Sequence, residues 1–150
     1  LAALAATIGA DCPFFIYTRP MSATGIGDVL TDCSVSLKGY KMLLVKSDDI
    51  SVPTKLAYSR VTPQVPDIDV TEIISRPVAG WQGLLKNDFE PSVFASFPQL
   101  SELKARLLDS GAVYAAMSGS GSSVFGIFDS ANMAECDKFA EFGNVFDIQL

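Results

Sequence analysis

The stretch Ala112-Val-Tyr-Ala-Ala-Met-Ser-Gly-Ser-Gly-Ser-Ser-Val-Phe-Gly-Ile-Phe128 decides the fold. Two apolar runs, Ala112–Met117 and Ser123–Phe128, flank Ser118-Gly-Ser-Gly-Ser122, a pattern that predicts two strands joined as a glycine-rich hairpin. Just before it, the stretch Pro98–Gly111 puts Leu100, Leu103, Leu107 and Leu108 on one face of a helix, with Gly111 just past its end. Just after it, Ser130 is placed to cap a helix over Ala131–Glu141, and Val145–Leu150 reads as a closing strand. Further upstream, the turn Lys38-Gly39 leads into Tyr40-Lys-Met-Leu-Leu-Val-Lys46, whose unbroken apolar centre predicts a strand buried on both faces. Between these lie three short helical stretches: Lys55–Arg60, started by a Ser or Thr of Ser51-Val-Pro-Thr54; Val70–Ser75, stopped by Pro77; and Trp81–Asn87. Pro63 and Pro66 make Val61–Asp69 a loop. From Tyr40 onward the order is strand, several helices, strand, strand, helix, strand. That is an α+β domain of the ferredoxin-like, split βαβ kind, with extra helices in its first crossover.

The residues before Tyr40 follow a different pattern. Leu1–Ile8, rich in Ala and Leu, reads as a helix that Gly9 ends in a left-handed cap. Pro13 biases Cys12 away from α geometry, which puts Asp11 on a corner ahead of an extended run, Phe14–Thr18. Arg19-Pro20 breaks that run, and Ser22–Leu30 reads as a short strand or loop made pliable by Gly25 and Gly27.

Composition narrows the chemistry. The chain has 150 residues, 11 Lys plus Arg against 17 Asp plus Glu, a net charge of −6 and no basic run, so its field repels phosphate backbones and argues against nucleic acid as a partner. It contains no histidine, which removes Ser-His-Asp and Cys-His catalysis and histidine metal sites together. A catalytic proton acceptor is therefore expected to be a carboxylate or a lysine. Cys12, Cys33 and Cys136 form neither a CxxC pair nor an even set, so no metal site is expected and a reducing cytoplasm fits. The longest apolar stretch, Leu1–Ala10, is well short of the ~20 residues that cross a bilayer, so no membrane partner is expected. With 49% hydrophobic residues and a mean hydropathy of +0.30, the chain is more apolar than most soluble domains, as if some of its surface were normally covered. It opens without Met in the middle of a helical pattern, and Leu1 reads as a boundary inside a longer protein.

Few residues announce chemistry by themselves. The alternate glycines at 119 and 121 let backbone amides approach an anion and the serines add hydroxyl donors, though a plain hairpin turn has the same look. No P-loop lysine is present, which excludes a Walker-type site. Asp11 is either a carboxylate at the mouth of a cleft or an Asp bonded to nearby backbone amides. Gly25-Ile-Gly27 permits close approach of a ligand or a twisted, bulged strand. Tyr58 can stack on a base or belong to the core. Lys46, Lys55 and Lys86 read as solvated.

In order, however, Gly9-Ala-Asp-Cys-Pro-Phe-Phe15, Ala23-Thr-Gly-Ile-Gly-Asp-Val-Leu-Thr31, Ser51-Val-Pro-Thr54 with Tyr58, Asn87-Asp-Phe-Glu90 and Met117-Ser-Gly-Ser-Gly121 resemble the GHMP small-molecule kinases over essentially the whole chain. Among these they resemble the branch acting on a cytidyl diphosphate sugar alcohol in non-mevalonate isoprenoid precursor synthesis. The resemblance implies a C-terminal portion of a two-domain enzyme that uses ATP and Mg²⁺ to phosphorylate the 2-hydroxyl of that substrate. Residues 1–32 would be a remnant of the N-terminal, ATP- and substrate-binding domain, and 33–150 the C-terminal domain. It further implies that Asp11 is the catalytic carboxylate, as a general base or an orienting acceptor. Gly25, Ile26 and Gly27 would lie against the substrate, Thr54 beside the transferring phosphate and Tyr58 on the cytosine ring. Ser118, Gly119, Ser120 and Gly121 would brace the nucleotide's phosphate loop. The family's lysine and its glycine-rich phosphate loop would come from the missing N-terminal half, an obligatory partner. Cys12 stands where a small aliphatic residue is usual. Two other readings remain open: a non-catalytic ferredoxin-like module that binds a ligand or partner, and a half of another GHMP kinase, such as a mevalonate or homoserine kinase.

Overall fold

A computed structural model describes residues 1–150 except 63, 130 and 132–134. The chain forms two compact units, Leu1–Ser36 and Leu37–Leu150.

The first unit contains helices α1 (Ala2–Ala5) and α2 (Cys12–Tyr17) and the antiparallel hairpin of β1 (Met21–Thr24) with β2 (Val29–Asp32). Two expectations are corrected here. The first helix is a single turn, and Gly9 has no left-handed φ. The run expected to be extended is helical, because Pro13 stands in the first turn of α2, where its fixed φ suits a helix and its missing N–H costs no bond. The left-handed residue is Thr18, at the end of α2. Of the 15 large hydrophobic side chains exposed among the described residues, nine belong to this unit, Leu1, Ile8, Phe15 and Ile26 among them. The chain's excess of apolar residues is therefore concentrated in its first quarter.

The second unit carries a four-stranded sheet in the order β4-β5-β3-β6, all antiparallel, formed by β3 (Tyr40–Lys46), β4 (Tyr114–Met117), β5 (Ser123–Asp129) and β6 (Asn144–Gln149). This is the expected ferredoxin-like arrangement, in which the first and third strands of the unit pair at the centre. Helices α3 (Thr54–Arg60), α4 (Val70–Ile74), α5 (Glu90–Ser96) and α6 (Pro98–Asp109) fill the first crossover. Leu100, Leu103 and Leu107 of α6, with Val93 of α5, pack on Leu43, Val45, Met117, Val124 and Phe128 to make the core. Gly126 admits this closeness, since a Cβ there would stand 3.2 Å from that of Ala112 and 3.3 Å from that of Leu107.

Four local expectations need correction. Strand β3 alternates buried Leu43 and Val45 with half-buried Met42 and Leu44, so only its helix-facing side is sealed, as antiparallel sheets allow. Trp81–Asn87 is not helical. The buried indole N–H of Trp81 donates to Arg76 O at 2.9 Å, Gly83 takes φ +84°, and the helical geometry is a 3₁₀ turn at Val78–Gly80. The start of α3 is Pro53, with no side-chain cap, and Thr54 is already inside the helix. Helix α5 was not expected; Pro91 occupies its first turn, where its fixed φ suits a helix. The Ser130 cap falls outside the described residues, and what is described of the following segment is a 3₁₀ helix, Cys136–Phe142.

On the face of the sheet away from α6, Tyr114 meets Trp81 edge to face at 5.8 Å and donates from its hydroxyl to Leu85 O at 3.2 Å. Burial, and secondarily the nearby Glu90 carboxylate, push its pKa up to about 12. The folded state therefore holds the phenol's proton above pH 10, where the unfolded chain releases it, and this contribution is intact below pH 10 and lost between pH 10 and about 12. Denaturant titrations should show stability falling across that window in the wild type. A Tyr114→Phe variant should show a shallower fall, and identical slopes would overturn the assignment.

Candidate functional site

Strand β4 is an edge strand of only four residues, paired on one side by β5. The backbone groups on its open side still need partners, since they are buried and cannot be left to water. Side chains from the irregular segment before α5, and from the first residue of α5, provide them. The Ala115 amide donates to Gln82 Oε1 at 3.1 Å and the Met117 amide to Glu90 Oε1 at 2.8 Å. The Asn87 carboxamide donates to Met117 O at 2.7 Å and to Gly119 O at 2.8 Å. In effect, three side chains replace a fifth strand.

These bonds hold the start of the hairpin Ser118–Ser122. Asn87 is itself oriented by an amide bond from Phe89 to its Oδ1 at 2.9 Å, and Glu90 by Lys104 Nζ on its other oxygen at 2.6 Å, in a pair largely shielded from solvent. From the far side, Gly121 lies on the Met117 thioether; a Cβ at this residue would stand 2.8 Å from Met117 Sδ, and its φ is +87°. The Ser118 amide donates to Ser123 O at 2.8 Å and the Gly121 amide to Ser118 O at 3.0 Å, closing the turn. The loop is thus a shaped, supported object, and the exposed Ser118 and Gly119 stand at its rim.

Two of the residues singled out in the sequence come to this hairpin through α3. Thr54 Oγ1 lies 3.4 Å from Ser120 Oγ. Tyr58, one turn further along the helix, has its ring backed edge-on by Phe89 at 4.9 Å and is 67% exposed, so it is a presented ring and not a core residue. The tetrapeptide Asn87-Asp-Phe-Glu90 therefore supports both the hairpin and the aromatic side chain. Its position was visible in the sequence; the bracing role of Asn87 and Glu90, and the parts of Gln82 and Lys104, were not. The signal that could have exposed them is the edge strand itself, whose open amides demand acceptors.

Asp11 and Gly25–Gly27 belong to the first unit. Asp11 is exposed at the start of α2, and its carboxylate makes no capping bond to that helix. Gly25 and Gly27 take φ +68° and +94° in the β1–β2 turn, which holds the side chain of Ile26 82% exposed. The Ile26 amide donates to Asp28 Oδ1 at 3.2 Å, and a Cβ on Gly25 would meet that same oxygen at 2.7 Å. A cleft of about 870 Å³ on the second unit is lined by Asn87 and Glu90 together with Arg60, Lys86, Ser92 and Lys104, whereas Thr54, Tyr58 and Ser118–Gly121 do not line it. Among the described residues, no three His, Cys, Asp or Glu side chains gather as a metal site, the three cysteines are free, and no helix is long and apolar enough to cross a membrane.

The model of one family, GHMP kinases C terminal, matches residues 75–137, which run from the end of α4 through the serine-glycine hairpin. The relatives narrow this further. A 4-diphosphocytidyl-2-C-methyl-D-erythritol kinase from Bacteroides fragilis is 52% identical over 124 residues, 83% of this chain and 45% of its own length. One of the same name from Parabacteroides distasonis is 52% identical over 129 residues, 86% of this chain and 47% of its own. The solved structure of a 4-(cytidine 5'-diphospho)-2C-methyl-D-erythritol kinase superposes with a TM-score of 0.77 at 30% identity, covering 98% of this chain and 55% of that one. A homoserine kinase from Cytophaga hutchinsonii shares the fold, with a TM-score of 0.52 at 20% identity, over 81% of this chain and 45% of its own. The chain spans about half the length of the curated relatives it matches.

Because Gly121 combines a left-handed φ with contact against Met117, a Gly121→Ala variant should lose ~1–3 kcal/mol of stability to strain at this turn. Urea unfolding measures it, and a midpoint equal to that of the wild type would show that the turn relaxes freely.

Proposed function

We propose that this chain is the C-terminal part of an ATP-dependent kinase that phosphorylates the 2-hydroxyl of 4-diphosphocytidyl-2-C-methyl-D-erythritol, in cytoplasmic isoprenoid precursor synthesis. The observation that carries this reading is the 52% identity to kinases of that name across most of the chain. In it, residues 1–32 are the end of the N-terminal domain, and their exposed apolar side chains are covered by the rest of that domain.

The site residues then take these roles. The substrate hydroxyl oxygen attacks the γ-phosphorus of ATP, the bond to the bridging oxygen of the departing ADP breaks, and the hydroxyl proton passes to the carboxylate of Asp11 or is oriented by it on its way to solvent. An exposed carboxylate uncommitted to helix capping is available for that work. Tyr58, braced by Phe89 and otherwise open, stacks on the cytosine, and Gly25, Ile26 and Gly27 lie against the substrate. Thr54 stands beside the transferring phosphate, tied to the hairpin through Ser120. Ser118, Gly119, Ser120 and Gly121 brace the nucleotide's phosphate loop, the two glycines giving the hairpin its tight curvature. Magnesium supplies charge neutralisation at the phosphates. With no carboxylate cluster among the described residues to receive it here, the phosphate oxygens and the preceding half of the protein would hold most of its shell.

The test uses the full-length protein, with the preceding half present. Asp11→Asn should lower the turnover of ATP-dependent phosphorylation by roughly 10²–10⁴-fold with the substrate KM nearly unchanged. Wild-type turnover in this variant would remove Asp11 from the chemistry. Tyr58→Ala should weaken binding of the cytidyl substrate by ~1–3 kcal/mol and leave the ATP KM alone. An equal loss for both ligands would instead make Tyr58 a structural support.

A further inference from the structure

Resting on that reading of the hairpin, we propose that Asn87 and Glu90 are positioning residues for the phosphoryl transfer, setting the hairpin's geometry and through it the affinity for the nucleotide. Both act on the backbone immediately before and within the loop. Glu90 accepts from the Met117 amide and Asn87 donates to the carbonyls of Met117 and Gly119. Met117 is thereby held at both its amide and its carbonyl, while its side chain is buried under Gly121. The hairpin's starting residue is consequently fixed on three sides.

The charge of Glu90 matters as much as its oxygen. An anionic acceptor shortens and strengthens the bond to an amide relative to a neutral one, and Lys104 pairs with the carboxylate at 2.6 Å in a position mostly withdrawn from water. Asn87 contributes what a carboxylate cannot, an amide nitrogen that donates two bonds at once. An Asp at residue 87 would turn a negative charge on two carbonyl oxygens. The two side chains are therefore not interchangeable, although both are small polar acids or amides three residues apart.

A hairpin that braces the nucleotide's phosphate loop does so in proportion to how well it is already ordered, because each contact must otherwise be formed at the expense of ordering it. Loss of either brace leaves the hairpin covalently intact and free to swing. It should thus weaken the nucleotide and not the cytidyl substrate, whose aromatic contact Tyr58 rests on Phe89, the side chain between the two braces.

The experiment compares full-length wild type with Glu90→Ala, Glu90→Gln and Asn87→Ala, by steady-state kinetics and by amide hydrogen exchange of the peptide spanning Met117–Ser123. Glu90→Ala and Asn87→Ala should each speed exchange in that peptide and raise the ATP KM roughly tenfold, the size of one lost charge-assisted bond or two neutral ones, with the KM for the cytidyl substrate within twofold of wild type. Glu90→Gln, which keeps an acceptor for the Met117 amide but loses the charge, should recover only part of both effects. Unchanged exchange in the two alanine variants overturns the bracing itself. Faster exchange with an unchanged ATP KM overturns the hairpin's assignment to the nucleotide, and loss of affinity for both ligands alike reduces Asn87 and Glu90 to general stability. Should an alanine variant fail to fold, Lys104→Met provides the same comparison, since it weakens the hold on Glu90 without removing the acceptor.

Discussion

The structure of the second unit turns on the open side of β4. A four-residue edge strand carries amides and carbonyls that must be satisfied within the protein, and here no further strand supplies them. Gln82, Asn87 and Glu90 do so instead. Because Gln82 and Asn87 come from the irregular segment before α5, that segment cannot become a regular helix without withdrawing them. The failure of Trp81–Asn87 to coil, the anchoring of Trp81 on Arg76 and the left-handed Gly83 are all parts of one solution. Edge protection and site construction are the same act.

Much of the fold was legible. The helix at Pro98–Asp109, the hairpin at Ala112–Phe128, the strand at Tyr40 and the closing strand announce themselves by period and by turn residues, and the ferredoxin-like order follows from them. What misled was proline. Pro13 lies in the first turn of α2, where the absent amide is one the helix never uses, yet a single sequence offers the same letter for a helix start and for a break. The same residue type was read correctly at Pro98 only because four leucines at helical spacing follow it, three of them buried. A six-residue helix carries too few periodic positions to outvote a proline.

The site was legible unevenly, for a related reason. Residues whose role depends on being exposed and on unusual backbone, such as Gly25, Gly27, Gly119 and Gly121, stand out because glycine marks a left-handed φ before any contact is known. Tyr58 and Thr54 could be named but not oriented. Their orientation comes from α3 packing beside α5, and from Phe89 and Ser120, which lie 31 and 66 residues away in the chain. Gln82 and Lys104 were invisible, since a lone amide or lysine in a sequence has no period to betray it.

The tetrapeptide at 87–90 shows how few residues a fold needs to hold two elements at once. Asn87 and Glu90 face the hairpin while Phe89 turns to Tyr58, so the hydrogen-bonded and the aromatic contacts spring from adjacent residues with little freedom between them. The Asx bond from the Phe89 amide to Asn87 removes most of what freedom is left. A displacement of this segment by an ångström would shift Ser120 and the Tyr58 ring together, whereas loops supported separately would drift apart. Rigid pairing of that kind suits chemistry in which one ligand must be delivered in line with another, because the barrier rises steeply with misalignment and binding alone does not correct it. The polar side chains closing the edge of β4 are thereby bound to a geometric demand stricter than hydrogen-bond satisfaction, and a plain fifth strand, which would satisfy the same amides, could not have met it.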